Sequence, residues 1–240
     1  MYKYILILLV PFFNLNVSAQ VAYDVDGNLE QQENLLDLSK MSFGFKISPT
    51  VSWIEVVNND MQADGAALNF EVGGVLNYEF LPNLSFVSGI NYNAYGGYVF
   101  DSLSLNNSDY RNNYKVNYGE IEVPVAVKLK TKTSNKTAYF IQGGFSAGFI
   151  VNATEKRIPL AKNAKPEYTD ISLFTNPIRL NCLLGAGIEY SLGKKTNLFG
   201  LISYKNSLTN QANSSAYGSR YTSSLQMYLG SMEFSVGIMF

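Results

Sequence analysis

Eight times along this chain apolar and polar residues alternate with a period of two, over lengths that few soluble strands reach. The cleanest stretch places Ile121, Val123, Val125, Val127 and Leu129 on one face, with Glu120, Glu122, Pro124, Ala126, Lys128 and Lys130 on the other. Such a period belongs to a strand with two different environments on its two sides. Soluble sandwiches alternate too, but their strands average about 5–6 residues. These stretches are long enough for a membrane crossing, which takes about 9–11 tilted residues.

The other stretches follow the same rule. Phe43, Phe45, Ile47, Val51 and Trp53 oppose Ser42, Gly44, Lys46, Ser48, Thr50 and Ser52. Leu68, Phe70, Val72, Leu76, Tyr78 and Phe80 oppose Asn69, Glu71, Asn77 and Glu79. Leu84, Phe86, Ile90 and Tyr92 oppose Ser85, Gly89, Asn91 and Asn93, and Tyr139, Ile141, Phe145, Phe149 and Val151 oppose Gln142, Gly144, Ser146 and Gly148. Ile178, Leu180, Cys182, Leu184, Ile188 and Tyr190 oppose Arg179, Asn181, Gly185, Gly187 and Glu189. The stretch Asn197 to Leu208 is ambiguous, because Phe199 and Leu201 sit on its inner side. Tyr221 to Phe240 alternates well only in its second half.

That second half puts Phe234, Val236, Ile238 and the terminal Phe240 on one face, the pattern of a closing barrel strand and of a barrel-assembly signal. Connections are short at Leu81–Asn83, Thr131–Lys136 and Gly193–Thr196. They are long at Val57–Ala66, Asp101–Asn113, Asn152–Phe174 and Thr209–Arg220. The pattern predicts an all-β, eight-stranded antiparallel up-and-down transmembrane β-barrel over residues 42–240, with short periplasmic turns and long extracellular loops. Both termini then face the periplasm.

The start of the chain supplies the export signal that this fold requires. Lys3, the apolar run Tyr4 to Phe13 and the small residues Val17-Ser-Ala19 predict a signal peptide over residues 1–19, cleaved before Gln20. No cysteine follows the cut, so a lipid anchor is not expected. Residues 20–41 form a periplasmic tail in which Leu29 to Lys40 has the makings of a short helix. Composition agrees: aromatics make up 14% of the chain and charged residues only 15%, against about 25% charged in soluble domains. The net charge of −1 argues against a nucleic-acid partner. A single cysteine, Cys182, precludes an internal disulfide.

An eight-stranded bore is just wide enough for side chains to fill. The inward faces carry Glu71, Glu79, Glu120, Glu122, Glu189 and Glu233 with Lys46, Lys128, Arg179 and Lys205, a set expected to form a hydrogen-bonded polar network. The alternative use of those carboxylates is a proton or ion path. Catalysis is not expected: the chain has no histidine, and loop pairs such as Asp109 with Arg111 or Glu155 with Lys156 look like solvated charges. No cofactor is expected. Asp24-Val-Asp26-Gly27-Asn28 is a fragment of a calcium loop without the full spacing or its glutamate, which leaves it as a flexible turn. Paired glycines at 73–74, 96–97 and 143–144 lie within strands and relieve crowding there.

Tyr118-Gly-Glu120-Ile-Glu122-Val-Pro124-Val-Ala-Val-Lys128-Leu-Lys130 resembles the Y-L-E-I-P-x-x-x-K strand of Bacteroidota outer-membrane barrels of the PorT type. Phe140-Ile-Gln-Gly-Gly144 resembles that family's glycine-rich fifth strand. Leu184-Gly-Ala-Gly-Ile-Glu-Tyr190 followed by Tyr204-Lys-Asn-Ser-Leu-Thr-Asn210 is similar to its G-A-G-x-E and Y-x-x-G-L-T-N pair, with Ser207 in place of the glycine and Gly119 in place of the first leucine. The resemblance covers nearly all of Ser42 to Phe240. It implies an outer-membrane barrel without catalytic activity, structural or accessory in role. Some such relatives belong to the type IX secretion and gliding machinery. Implied partners are outer-membrane lipid, the barrel-assembly machinery during insertion, and other envelope or secretion proteins. The expected contact surface outside the cell is the loop Asn152 to Phe174, with Lys156, Arg157, Lys162 and Lys165.

Overall fold

The computed structural model describes residues 37–57, 61–101, 113–158, 165–193, 196–213 and 225–240. The signal peptide, nearly all of the expected tail and helix, the Asp24–Asn28 turn and the Asp109/Arg111 pair lie outside them. The chain divides into two units, Met1–Ser39 and Lys40–Phe240. Of the first, Asp37 and the beginning of a 3-10 turn over Leu38–Lys40 are described.

The second unit is built from strands β1 (Met41–Val57), β2 (Met61–Leu81), β3 (Leu84–Asp101), β4 (Asn113–Lys130), β5 (Thr137–Ile158), β6 (Glu167–Asp170), β7 (Ile178–Ser191), β8 (Asn197–Ser207) and β9 (Gln226–Met239). Every neighbouring pair is antiparallel. The order β4-β3-β2-β1-β9-β8-β7-β5 is joined into a ring by β4–β5 pairing, with β6 hanging from the free edge of β5. The wall is therefore the expected eight-stranded barrel. Its seam is β1 against β9, from Gly44 opposite Met239 to Val57 opposite Gln226. Phe43 and Phe240 exchange backbone hydrogen bonds there at 3.2 and 2.7 Å. No helix among the described residues is long and apolar enough to cross a membrane.

Alternation sets which way each side chain points. Phe45, Leu68, Val125, Phe145, Leu184 and Val236 lie on the outside and are about half exposed or more, whereas Ser48, Thr50, Asn91, Asn93, Glu120, Glu122 and Asn181 lie inside and are buried. Exposed aromatics occur along the whole outer face, Phe45 and Phe145 among the aliphatic residues and others toward its two ends. Phe43, Phe80, Tyr139, Tyr190 and Phe240 are near the short turns. Phe70 with Tyr92, and Trp53 with Tyr204, make ring contacts at 6.2 Å toward the other end. A largely aliphatic outer band with aromatic side chains toward its ends is what a lipid environment selects. At one short turn Asn135 and Lys136 both adopt positive φ between bridged Ser134 and Thr137, the geometry of a tight hairpin turn.

Two connections differ from expectation. Val57–Ala66 is not a long loop, because Met61 to Ala66 continue β2 and pair with Asp101 to Gly97. Asn152–Phe174 is not a free loop either. Asn152 to Ile158 extend β5 along β4, Glu167–Asp170 pair back on β5, and Ser172–Phe174 form a 3-10 turn. The cause is common to both: β3 and β4 rise past the membrane band, and their backbone groups need partners that the next strand supplies. The last strand is described over Gln226–Met239, and the expected start near Tyr221 lies outside the described residues.

β1 and β2 part company at their upper ends. Their pairing stops at Ser52 opposite Ala67, while β2 slips one residue against β3 between Ala66 and Glu71. Tyr95 and Gly96 thus have no β2 partner. The Ser52 hydroxyl fills the breach, donating to the Gly96 carbonyl at 2.6 Å and accepting the Gly96 N–H at 2.9 Å and the Asn69 amide at 2.8 Å.

Candidate functional site

The inside of the ring is layered. Toward the short turns, Lys128 pairs with Glu189, and Lys130 lies 3.6 Å from Glu189 and 3.8 Å from Glu79. The Lys128 ammonium also sits 4.5 Å from the centre of the Phe140 ring. Above this comes an apolar layer of Val75, Val87, Ala126 and Leu183. Phe199 and Leu201, ambiguous by pattern, face this interior. A cavity of about 50 Å³ opens among Asn77, Asn91, Gln142, Phe140, Leu201 and Met239, space for roughly one or two water molecules.

The middle layer is the charged centre. Lys205 reaches three carboxylates at once: Glu71 at 2.8 Å, Glu122 at 2.8 Å and Glu233 at 2.9 Å. Lys46 takes the other oxygen of Glu71. Arg179 grips Glu120 through two parallel hydrogen bonds, Nε at 2.7 Å and Nη2 at 3.0 Å, and lies 4.0 Å over the Tyr95 ring. That fork-to-fork pairing is among the strongest geometries available to a carboxylate. It needs Gly148: a Cβ there would meet the Glu120 carboxylate at 2.2 Å. Tyr95 donates to Glu122 at 3.2 Å, Asn93 donates to the same oxygen at 2.8 Å, and Ser203 donates to Glu233 at 3.2 Å.

The long-connection end is closed by an apolar plug. Ile54, Met61, Val99, Val116, Tyr118, Ala153, Met227 and Leu229 are buried against one another inside the wall. The sequence pattern did not separate these from lipid-facing residues. All of them except Ala153, which follows the register shift of β5 at Gly119/Glu120, keep the inward parity of their strands, but they lack the polarity that marks the inside elsewhere. Met227 and Leu229 are also why the last stretch alternates poorly in its first half. Asn93, Tyr95 and Ser203 were likewise not among the expected network.

All the expected interior residues point into the ring. Lys46, Glu71, Glu120, Glu122, Arg179, Lys205 and Glu233 meet in the middle layer, and Glu79, Lys128 and Glu189 meet near the short turns. Phe234, Val236 and Phe240 are exposed on the outer face, with Ile238 beside Phe45 of β1. Cys182 is a partly buried free thiol, close to the Asn206 carbonyl.

Ser203 and Glu233 have the outline of a nucleophile with its base. Both, however, are buried in the centre of the ring, and Glu233 is held by Lys205. Among the described residues no group of histidine, cysteine, aspartate or glutamate has the arrangement of a metal site.

Residues 29–213 match the family described as the outer membrane protein beta-barrel domain. The chain belongs to this family. Its place is thus the outer membrane, as an integral barrel whose aliphatic band faces lipid. No curated protein matches it in sequence. Neisserial surface protein A is similar in structure at 11% identity and a TM-score of 0.47, over 84% of this chain and 96% of that one. OprG of Pseudomonas aeruginosa is similar at 12% identity and a TM-score of 0.45, over 83% and 95%. Ail, the attachment invasion locus protein of Yersinia pestis, is similar at 10% identity and a TM-score of 0.39, over 84% and 99%.

Proposed function

We propose that this chain is a non-enzymatic outer-membrane barrel protein with a filled, non-conducting interior and a structural or accessory role in the envelope. The observation that carries this is the layering of the bore. Lys205 tied to Glu71, Glu122 and Glu233 lies beneath the plug of Ile54, Val99, Val116 and Leu229. A hydrated solute would have to break charge-assisted bonds and part a packed apolar layer in the same passage. The short turns face the periplasm, the long connections face outward, and Phe234, Val236, Ile238 and Phe240 present the closing strand to the barrel-assembly machinery.

Planar-bilayer recordings test the filled bore, with the purified barrel inserted at known copy number. The expected result is no steady unitary conductance in molar salt. A stable open level in most insertions overturns the proposal.

A second role is favoured by the PorT-like sequence stretches from Tyr118 to Lys130 and from Leu184 to Asn210: a subunit of the type IX secretion and gliding machinery. Loss of secreted cargo on deletion, with co-purification of envelope partners in mild detergent, is its signature. Recovery of the barrel alone from a strain with normal secretion counts against it.

A further inference from the structure

Beyond the membrane band a short ladder crosses the outer face of four strands. Tyr98 of β3 stands opposite Lys115 of β4, Lys115 opposite Lys156 of β5, and Lys156 opposite Tyr168 of β6. The Lys115 ammonium lies 5.8 Å from the centre of the Tyr98 ring, and that of Lys156 lies 5.4 Å from the centre of the Tyr168 ring. The arrangement is two cations side by side, bracketed by two aromatic rings. Like charges directly opposite one another across strands are unfavourable on their own. They become favourable when an anion sits between them.

Lys115 keeps the outward parity of Ile121 and Val125 on β4, and Lys156, opposite it beyond the register shift of β5 at Gly119/Glu120, faces the same way. Asp170, one outward position below Tyr168 on β6, is turned to Ser172 and accepts its N–H at 2.8 Å.

The height of the ladder narrows the occupant. Lys115 is roughly 20 Å along β4 from Ile121 at ~3.3 Å per residue, which a ~45° tilt reduces to about 14 Å along the membrane normal. An apolar band ~25 Å tall with its lower edge near Leu129 ends roughly 6 Å above Ile121. The two lysines therefore stand about 8 Å beyond hydrocarbon, past the roughly 5–7 Å that a phospholipid head occupies. Phosphorylated sugars of a glycolipid head lie at that height, with phosphate for the lysines and sugar faces for the tyrosine rings.

We propose that Tyr98, Lys115, Lys156 and Tyr168 form a binding site for the phosphorylated saccharide head of an outer-leaflet glycolipid. The site fixes the upper ends of β3 to β6 to the surrounding lipid.

The test is native mass spectrometry of the full barrel released from phosphatidylcholine nanodiscs. The discs are doped in turn with rough lipopolysaccharide carrying phosphorylated core sugars, with the same lipid after phosphatase treatment, and with phosphatidylglycerol. Inorganic phosphate is added to undoped discs as a further arm. The unaltered barrel should retain the phosphorylated glycolipid, and Lys115→Gln/Lys156→Gln should lower that retention at least tenfold. Lys115→Arg/Lys156→Arg should keep it, as should Lys132→Gln/Lys136→Gln at the opposite rim. Heat-modifiable gel migration verifies that each variant is folded. Unchanged retention in the double Gln variant overturns the proposal. So does equal retention of phosphatidylglycerol or of the dephosphorylated lipid, or occupancy by inorganic phosphate alone.

Discussion

The Ser52 hydroxyl lies against the backbone of Gly96, giving its proton to the carbonyl at 2.6 Å and taking the N–H at 2.9 Å. With the Asn69 amide as its second donor, the hydroxyl has used all of its hydrogen-bonding capacity. One side chain thus replaces two missing rungs of a β-ladder where β1 and β2 diverge. Ser52→Ala leaves the Gly96 backbone groups and the Asn69 amide without that partner, each worth roughly 1–3 kcal/mol when buried. The expected loss is about 2–4 kcal/mol, read by urea unfolding in lipid vesicles. Trp53, the chain's single tryptophan and the next residue along, is a built-in fluorescent probe. A loss indistinguishable from that of Thr131→Ala on the short-turn rim counts against this role.

The middle layer brings four carboxylates, Glu71, Glu120, Glu122 and Glu233, to three cations, Lys46, Arg179 and Lys205. Acids exceed bases, so the two kinds of deletion should differ. Lys205→Met removes the cation common to three carboxylates and should cost roughly 3–5 kcal/mol or prevent insertion altogether. Glu233→Gln keeps the shape, and Lys205 retains two carboxylates. It should cost about 1 kcal/mol or less, the scale of one net hydrogen bond. Paired unfolding curves in the same vesicles decide the matter, and equal losses would show that the layer is not organised around Lys205.

The outer face answers to a different solvent. Val125 is 47% exposed between Val123 and Val127, close to the middle of the aliphatic band. Val125→Arg should destabilise the inserted barrel by roughly 2–4 kcal/mol, and Leu184→Arg should behave alike. Lys132→Arg, at the rim, should be silent. Unfolding titrations of the three variants compare them directly, and tolerance of Arg at Val125 would place water where lipid belongs.

The wall was legible in the sequence because a strand with lipid on one side and polar side chains on the other has an unbroken period of two. Glu120 to Lys130 shows this in full. Legibility failed where the inner environment changes from polar to apolar. Ile54, Val99, Val116, Met227 and Leu229 keep inward parity while losing the polarity that marks it. The rims failed for another reason: Met61–Ala66 and Asn152–Ile158 contain the glycine, alanine and asparagine of a loop, and only pairing with β3 and β4 makes them strand. Which ion pairs form is also beyond the reach of pattern. Lys205 meets Glu71 and Glu122 through the folded ring, and Gly148 matters only because the Glu120 carboxylate passes over it.

The seam between β1 and β9 also bears on how the barrel matures. Ser48 finds Ser235, 187 positions away, across that seam. Loop closure over such a span is slow, and an unzipped edge inside a bilayer leaves N–H and C=O groups with nothing to bond. Partial cylinders are therefore forbidden intermediates within the membrane. Entry into the lipid and joining of the two edges must occur as one cooperative event, and the polar kernel has to be gathered in that same step.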